Sequence, residues 1–249
     1  MIYYNFKEIT STNDYARELL DENEIVCVTA QYQTKGRGRN NNVWYGNFGN
    51  NLYISFGLSH KNPCSIEKLS NLQAIGALAV NQTLLELTAK EMFFLKYPND
   101  VFAITDTGKK KISGILIEHG FSGSDCIYSI IGIGVNVNET NFTGLIENEA
   151  TSLKKIGFNF EIEEVEKLLI NKFSLLLEQN ETDIFNLWKS ELNIIGKNIH
   201  LISANKNEYT ENENWIAIEL LKDGRLKIEN EKKKILIIDN GDSVRYDIN

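Results

Sequence analysis

Residues 33–53 read QTKGRGRNNNVWYGNFGNNLY, and the rest of the chain is arranged around them. Gly36, Arg37, Gly38 and Arg39 alternate, three asparagines follow, and Trp44 precedes further Gly/Asn turns. Neither helical spacing nor strand alternation runs through the stretch. Glycine tolerates positive φ and lets backbone approach a ligand closely, and each guanidinium is a planar donor fork for carboxylate or phosphate. The stretch reads as a mobile, anion-seeking loop able to close over a ligand. Taken alone it also fits a solvated surface loop with incidental arginines. Ile25–Gln31 is an apolar, β-rich run that enters the loop, and Asn51–Leu58 alternates as a strand leaving it. The loop therefore hangs between two strands, as a binding loop on a rigid scaffold does.

Upstream, Ile2–Ile9 reads as a short strand, followed by Thr10-Ser11-Thr12-Asn13-Asp14 and a helix through Leu20. Ser11 with Asp14 three residues on has the form of a capping box. Hydroxyls and an amide at such a turn, near free backbone N–H groups, also suit a polar ligand group.

Downstream, Ser65–Leu87 carries apolar residues at helical intervals and reads as a long helix packed on a sheet. Met92–Lys96 is strand-like and runs into Tyr97-Pro98-Asn99-Asp100, where proline ends ladder pairing. Val101–Ile104 and Lys111–Glu118 are partner strands about the turn Asp106-Thr107-Gly108, and Ile127–Val137 is a further strand. Gly132 and Gly134 inside that strand mark places where a ligand or another backbone comes close. Helices are expected over Glu161–Glu178 and Ile184–Leu192, and Gly196 ends the helical pattern. Beyond it lie short strands with hairpin turns at Lys222-Asp223-Gly224 and Asn240-Gly241, which predict a small β-barrel. The expected division is a domain over 1–193 and a small module over 197–249.

Composition narrows the function. A chain of 249 residues buries a real core. Its net charge of −8 argues against nonspecific binding to nucleic acid or an anionic membrane as the main task. There is no secretory pattern and no apolar run long enough to span a bilayer. Cys27, Cys64 and Cys126 are odd in number without CxxC spacing, which predicts free thiols in a reducing cytoplasm. His60, His119 and His200 have no metal-ligand spacing.

Separate segments of the chain share one chemistry. Arg37, Arg39, Lys96 and Lys111 are cations at loop or strand ends, while Asp100 and Asn136 offer oxygen ligands of the kind Mg²⁺ accepts beside phosphates. The ordered motifs TSTN, GRGR…W, KYPND, KISGILIE and GIGVNVN, over about residues 8–140, resemble the biotin protein ligase family. The resemblance implies an α/β fold of the α+β type. A mixed, mostly antiparallel sheet with helices, like that of class II aminoacyl-tRNA synthetases, precedes an SH3-like barrel.

It also implies a two-step reaction: biotin and ATP give biotinyl-5′-AMP, and a lysine of a biotin carboxyl carrier domain then takes the biotinyl group. By the family pattern Ser11, Thr12, Asn13 and Gln33 hold the ring end of biotin. Arg37, Gly38 and Arg39 close over the phosphate, and Lys111, with Gly114 beside it, meets the carboxylate. Lys111, Arg37 and Arg39 are the catalytic candidates. Gly36, Arg39, Trp44, Lys96, Asn99, Asp100 and Asn136 are the ATP candidates, and Asp100 with Asn136 the Mg²⁺ pair. Some members carry an N-terminal DNA-binding domain. This chain starts about ten residues before TSTN, so a monofunctional enzyme with no nucleic-acid partner is expected. Members often pair sheet edges, which leaves monomer or homodimer open.

Two departures stand out. Asn41 and Asn42 occupy positions where the family commonly has Gly and Arg, and Tyr97 replaces the usual Trp. The first bears on loop dynamics, the second on packing. Lipoate–protein ligase, which shares the chemistry, and a non-catalytic biotin-binding module are the rival readings.

Overall fold

Strand β3, Asn51–Ser59, is buried over all but its last residue because both its faces are covered. The computed structural model describes residues 1–20, 22–39, 42–201, 213–238 and 244–246. Asn41 and the Asn240-Gly241 turn singled out from the sequence lie outside them. Around β3 runs a seven-stranded sheet built with β1 (Ile2–Ile9), β2 (Ile25–Gln33), β4 (Phe93–Lys96), β5 (Asp100–Thr105), β6 (Gly108–Ser122) and β7 (Asp125–Asn136). Its order is β1-β2-β3-β7-β6-β5-β4. Only β1 and β2 pair in parallel; the other neighbours are antiparallel. The mixed, mostly antiparallel sheet expected from the sequence is therefore present.

Alternation along the central strands sorts their side chains. Leu52, Ile54, Phe56 and Leu58 of β3 and Ile131, Ile133 and Val135 of β7 join the main core. That core is closed by α2 (Ile66–Thr88), α3 (Ile162–Leu177) and α4 (Glu181–Leu192). Phe56 stacks on Phe173 with ring centroids 3.7 Å apart. The intervening residues Tyr53 and Ser55 of β3 and Gly132, Gly134 and Asn136 of β7 face the other side. There α1 (Thr12–Leu19) packs through Ala16 and Leu20 against Val26, Val28 and Ile130. A two-residue period thus gives the sheet an apolar face for the helices and a polar, glycine-rich face beside α1.

β6 and β7 are longer than the apolar pattern predicts, meeting at a turn that needs Gly123 at φ 62. One irregularity decides the site. Val101 pairs with Ser113 but Phe102 pairs with Lys111, so Ile112 is an extra residue in β6. Such a bulge re-aims a side chain. Ile112 enters the main core, while Lys111 and Gly114 come to share the α1 face three residues apart.

The C-terminal residues form a five-stranded antiparallel sheet, β11-β10-β9-β8-β12. Its strands are β8 (Asn198–Leu201), β9 (Trp215–Leu220), β10 (Leu226–Asn230), β11 (Ile235–Ile238) and β12 (Val244–Tyr246). Its apolar residues run on into the main core. Tyr97 is the hinge of that contact. Its backbone N–H donates to Tyr246 Oη at 2.8 Å, its hydroxyl donates to the Gly224 carbonyl at 3.0 Å, and its ring stacks near Trp188. Cys27, Cys64 and Cys126 are free thiols. No helix among the described residues is long and apolar enough to cross a membrane.

Candidate active site

A cleft of about 930 Å³ opens on the α1 face of the sheet. The first turn of α1 walls one end, residues 37–39 and 42–45 cover it, β6 and β7 form the floor, and residues from the 142–150 segment close the far side. Ser11, Thr12, Asn13, Gln33, Arg37, Gly38, Arg39, Trp44, Asn99, Asp100, Lys111, Gly114 and Asn136 all line this one cleft, although they come from five separate segments.

The side chains of Ser11, Thr12, Asn13 and Gln33, which line the α1 end, are uncharged and rich in hydrogen-bonding groups. Ser11 caps the helix, and Ser11, Thr12 and Asn13 are all buried. Gln33 Oε1 accepts the Thr12 backbone N–H at 2.7 Å and its hydroxyl at 3.0 Å. Ser55 Oγ lies 2.7 Å from Thr12 Oγ1 and 2.6 Å from Asn13 Oδ1, while Asn13 Nδ2 donates to Glu118 at 2.5 Å. A Cβ on Gly132 would stand 2.1 Å from Asn13 Oδ1, so only glycine leaves room for the amide.

The floor is flat and apolar. Gly114 and Gly134 are direct cross-strand partners, and the Trp44 indole lies over both. A Cβ on Gly134 would come within 2.5 Å of Trp44 Cε2, and one on Gly114 within 2.8 Å of Cζ3. The buried indole N–H finds no acceptor among the described residues.

Charge collects at the other end. Lys111 Nζ is 2.7 Å from Asp100 Oδ1 and 5.5 Å from the Trp44 ring centre. Its backbone is fixed from outside the sheet: Lys111 N–H donates to the Glu149 carbonyl at 2.8 Å, and its own carbonyl accepts Thr151 N–H at 2.9 Å. Arg39 Nη1 donates to Asn99 Oδ1 at 3.0 Å, and Asn136 Nδ2 to the Thr151 carbonyl at 3.0 Å.

The Gly/Arg loop is folded back on itself, with Gly38 N–H on the Asn42 carbonyl at 2.7 Å and Trp44 N–H on the Gly36 carbonyl at 3.1 Å. Arg37 grips Asp14 with two contacts of 2.7 and 2.8 Å and reaches Glu118 at 3.5 Å. The guanidinium beside Asp14 holds that carboxyl below the usual range. So Asp14 serves Arg37 rather than completing a capping box.

Two of the expected residues stand off the cleft wall. Gly36 is buried beneath the loop, where a Cβ would stand 2.9 Å from the Trp44 carbonyl oxygen. The Lys96 ammonium lies 4.7 Å from the centre of the Phe102 ring. Burial lowers its pKa, with the charges of Arg245 and Lys111 adding to the effect against Asp100 and Glu149. The sequence reading did not mark Ser55, Glu118, Glu149 or Arg245 as site residues. Ser55 carried a signal, a small hydroxyl set between the apolar Ile54 and Phe56; the other three are ordinary surface charges until the fold gathers them.

Residues 5–136 match the biotin/lipoate A/B protein ligase family. The chain belongs to that family. This ligase-family chain is 32% identical over 210 residues to the bifunctional ligase/repressor BirA of Bacillus spizizenii, across 81% of its own length and 62% of the relative's. To the Escherichia coli BirA it is 28% identical over 206 residues, 61% of that protein. It thus spans a little under two thirds of these curated relatives. The biotin protein ligase of Aquifex aeolicus, solved in complex with biotin and ATP, superposes with a TM-score of 0.74 at 28% identity, covering 99% of both chains.

Proposed function

We propose that the chain is a biotin–protein ligase of the cytoplasm. The observation that carries this is the order of chemistry along the cleft: neutral hydrogen-bonding groups, then an apolar floor, then cations. Biotin has the same order, with a ureido ring, an aliphatic chain and a carboxylate. Lipoate has an apolar dithiolane in place of the ureido head. It offers no ureido N–H or C=O to the groups of Thr12, Asn13 and Gln33 that line this end, and a site built to hydrogen-bond its substrate discriminates against an analogue that lacks the partner.

In the first step a carboxylate oxygen of biotin attacks the α-phosphorus of ATP, the bond to the β-phosphate breaks, and pyrophosphate leaves. Both reactants are anions, so the protein's main task is to cancel their repulsion and hold them in line. Lys111 would neutralise the carboxylate and the charge developing on the α-phosphate. Arg39 and Arg37 would close over the phosphate, with Arg37 exchanging Asp14 for the ligand, and Lys96, Asn99 and Gly36 would support the nucleotide side. Trp44 would lie between adenine and floor and keep water from the mixed anhydride. In the second step a carrier lysine nitrogen attacks the anhydride carbonyl, the C–O bond to AMP breaks, and an amide forms.

Asp100 and Asn136, the pair expected at the metal, line the cleft, and Glu149 adds a second carboxylate to its wall. Among the described residues no cluster of three acidic, His or Cys side chains exists to cage a metal. That sparse set suits Mg²⁺, which keeps water and phosphate oxygens as its other ligands. Bound there, Mg²⁺ would offset phosphate charge.

The test is to incubate the protein with ATP, biotin and an isolated carrier domain. The reading predicts one biotinyl group on one carrier lysine by mass spectrometry, and none when that lysine is replaced by Arg. Unmodified carrier beside released pyrophosphate would reject the transfer step.

A further inference from the structure

Glu139 follows β7, takes no part in the chemistry above and is 2% exposed. Its carboxylate meets only donors. Oε2 accepts the Asn47 backbone N–H at 2.9 Å, and Asn47 Nδ2 lies 3.0 Å from Oε1 and 3.1 Å from Oε2. Oε1 also accepts the backbone N–H groups of Thr140 and Asn141, both at 3.1 Å. Asn47 ends the loop that carries Arg37, Arg39 and Trp44. Thr140 and Asn141 begin the segment that brings Phe142, Thr143 and Gly144 to the opposite side of the cleft. Two further bonds tie the same pair of segments: Asn138 N–H to the Asn50 carbonyl at 2.7 Å and Val137 N–H to Asn51 Oδ1 at 3.2 Å.

We propose that Glu139 is a positioning residue: a carboxylate latch that sets the Gly/Arg loop and the 140–150 segment as one unit, so that the cover and the far side of the cleft are held together. An acceptor-only group is what this site requires, since every neighbour is a donor. Burial pushes the carboxyl pKa up, but the donors of Asn47 and Asn141 outweigh it and the group stays ionised. An amide at this position would keep one oxygen for Thr140 and Asn141 while turning its NH₂ on the donors of Asn47. Glu139→Gln therefore divides the latch and leaves the carboxylate's own turn capped. Asn47→Ala removes the side-chain donor from the other side, at an exposed residue whose replacement leaves the core untouched.

The kinetic part of the test rests on the ligase reading; the exchange part does not. Hydrogen exchange of the full chain without ligand should show amides of 140–149 opening about tenfold faster in Asn47→Ala, although that residue belongs to the other loop. In biotin-dependent ATP–pyrophosphate exchange, both variants should raise the KM for biotin and for ATP together, by about tenfold, with kcat at saturation within about twofold of wild type. Glu139→Asp should recover part of the loss. A wild-type protein without biotin-dependent exchange would refute the ligase reading and leave hydrogen exchange to decide the latch. Unchanged protection of 140–149 in both variants, or a KM rise for one substrate alone, would overturn the proposal.

Discussion

The Lys111 ammonium rests 2.7 Å from the Asp100 carboxylate, and the two side chains meet because of one extra residue in β6. Strict alternation would send Lys111 and Gly114 to opposite faces. With Ile112 bulged out, the cation reaches the cleft and its neighbour fills the core. Replacing Lys111 by Ala removes the group assigned to the developing phosphate charge. Adenylation should fall by about 10²–10³ with the melting temperature nearly unchanged, since the pair is partly solvated and contributes little to stability. Stopped-flow or exchange kinetics beside a thermal melt separate the two effects.

Gly132 tests the neutral end. A methyl there would stand 2.1 Å from Asn13 Oδ1 and displace the amide from Ser55 and Glu118. Gly132→Ala should cost about 1–3 kcal/mol of stability from overpacking and weaken biotin binding at least about tenfold, readable by calorimetry. Gly49, whose Cβ would meet nothing within 4 Å, has φ 70. Its replacement by Ala should strain the turn and cost stability alone.

A second polar cluster sits on the helix side of the sheet. His60 Nε2 and His119 Nδ1 lie 2.7 and 2.8 Å from the one hydroxyl of the buried Ser129. Burial lowers the pKa of both rings, helped by Lys68 at His60 and by His60 at His119. A lowered folded pKa means the unfolded chain takes up protons first, so stability is full above about pH 6.5 and declines as pH falls below it. The melting temperature should drop by about 2–6 °C between pH 7.5 and 5.5. His60→Gln with His119→Asn keeps neutral nitrogen partners and should flatten that slope. Equal slopes in both proteins would contradict the assignment.

Tyr246 tests how the C-terminal sheet is held. Its hydroxyl accepts the Tyr97 backbone N–H, and burial pushes its pKa up to about 12. Tyr246→Phe strands a buried donor, at a cost of about 1–3 kcal/mol. A fall of several degrees in the melt is expected, together with faster amide exchange at Tyr97.

Most strands and helices were legible because their periods were clean. The α2 pattern and the two runs flanking the Gly/Arg loop fall where spacing put them, and the KYPND and GIGVNVN segments lie at strand ends facing one cleft. What spacing could not reveal was anything set by three dimensions. The parallel pairing of β1 with β2 depends on the α1 crossover. Which way Lys111 faces depends on a bulge that no residue type announces. Ser55, Glu118 and Glu139 gain meaning only from partners 42, 105 and 92 residues away. Lys96 carried the right charge in a motif, yet its ammonium lies over Phe102.

ATP–pyrophosphate exchange with the purified full chain reads directly whether this cleft joins biotin to AMP. Exchange should require biotin, gain nothing from lipoate and be lost in Lys111→Ala. Exchange supported by lipoate and not by biotin, or biotin binding with no exchange at all, would contradict the ligase reading.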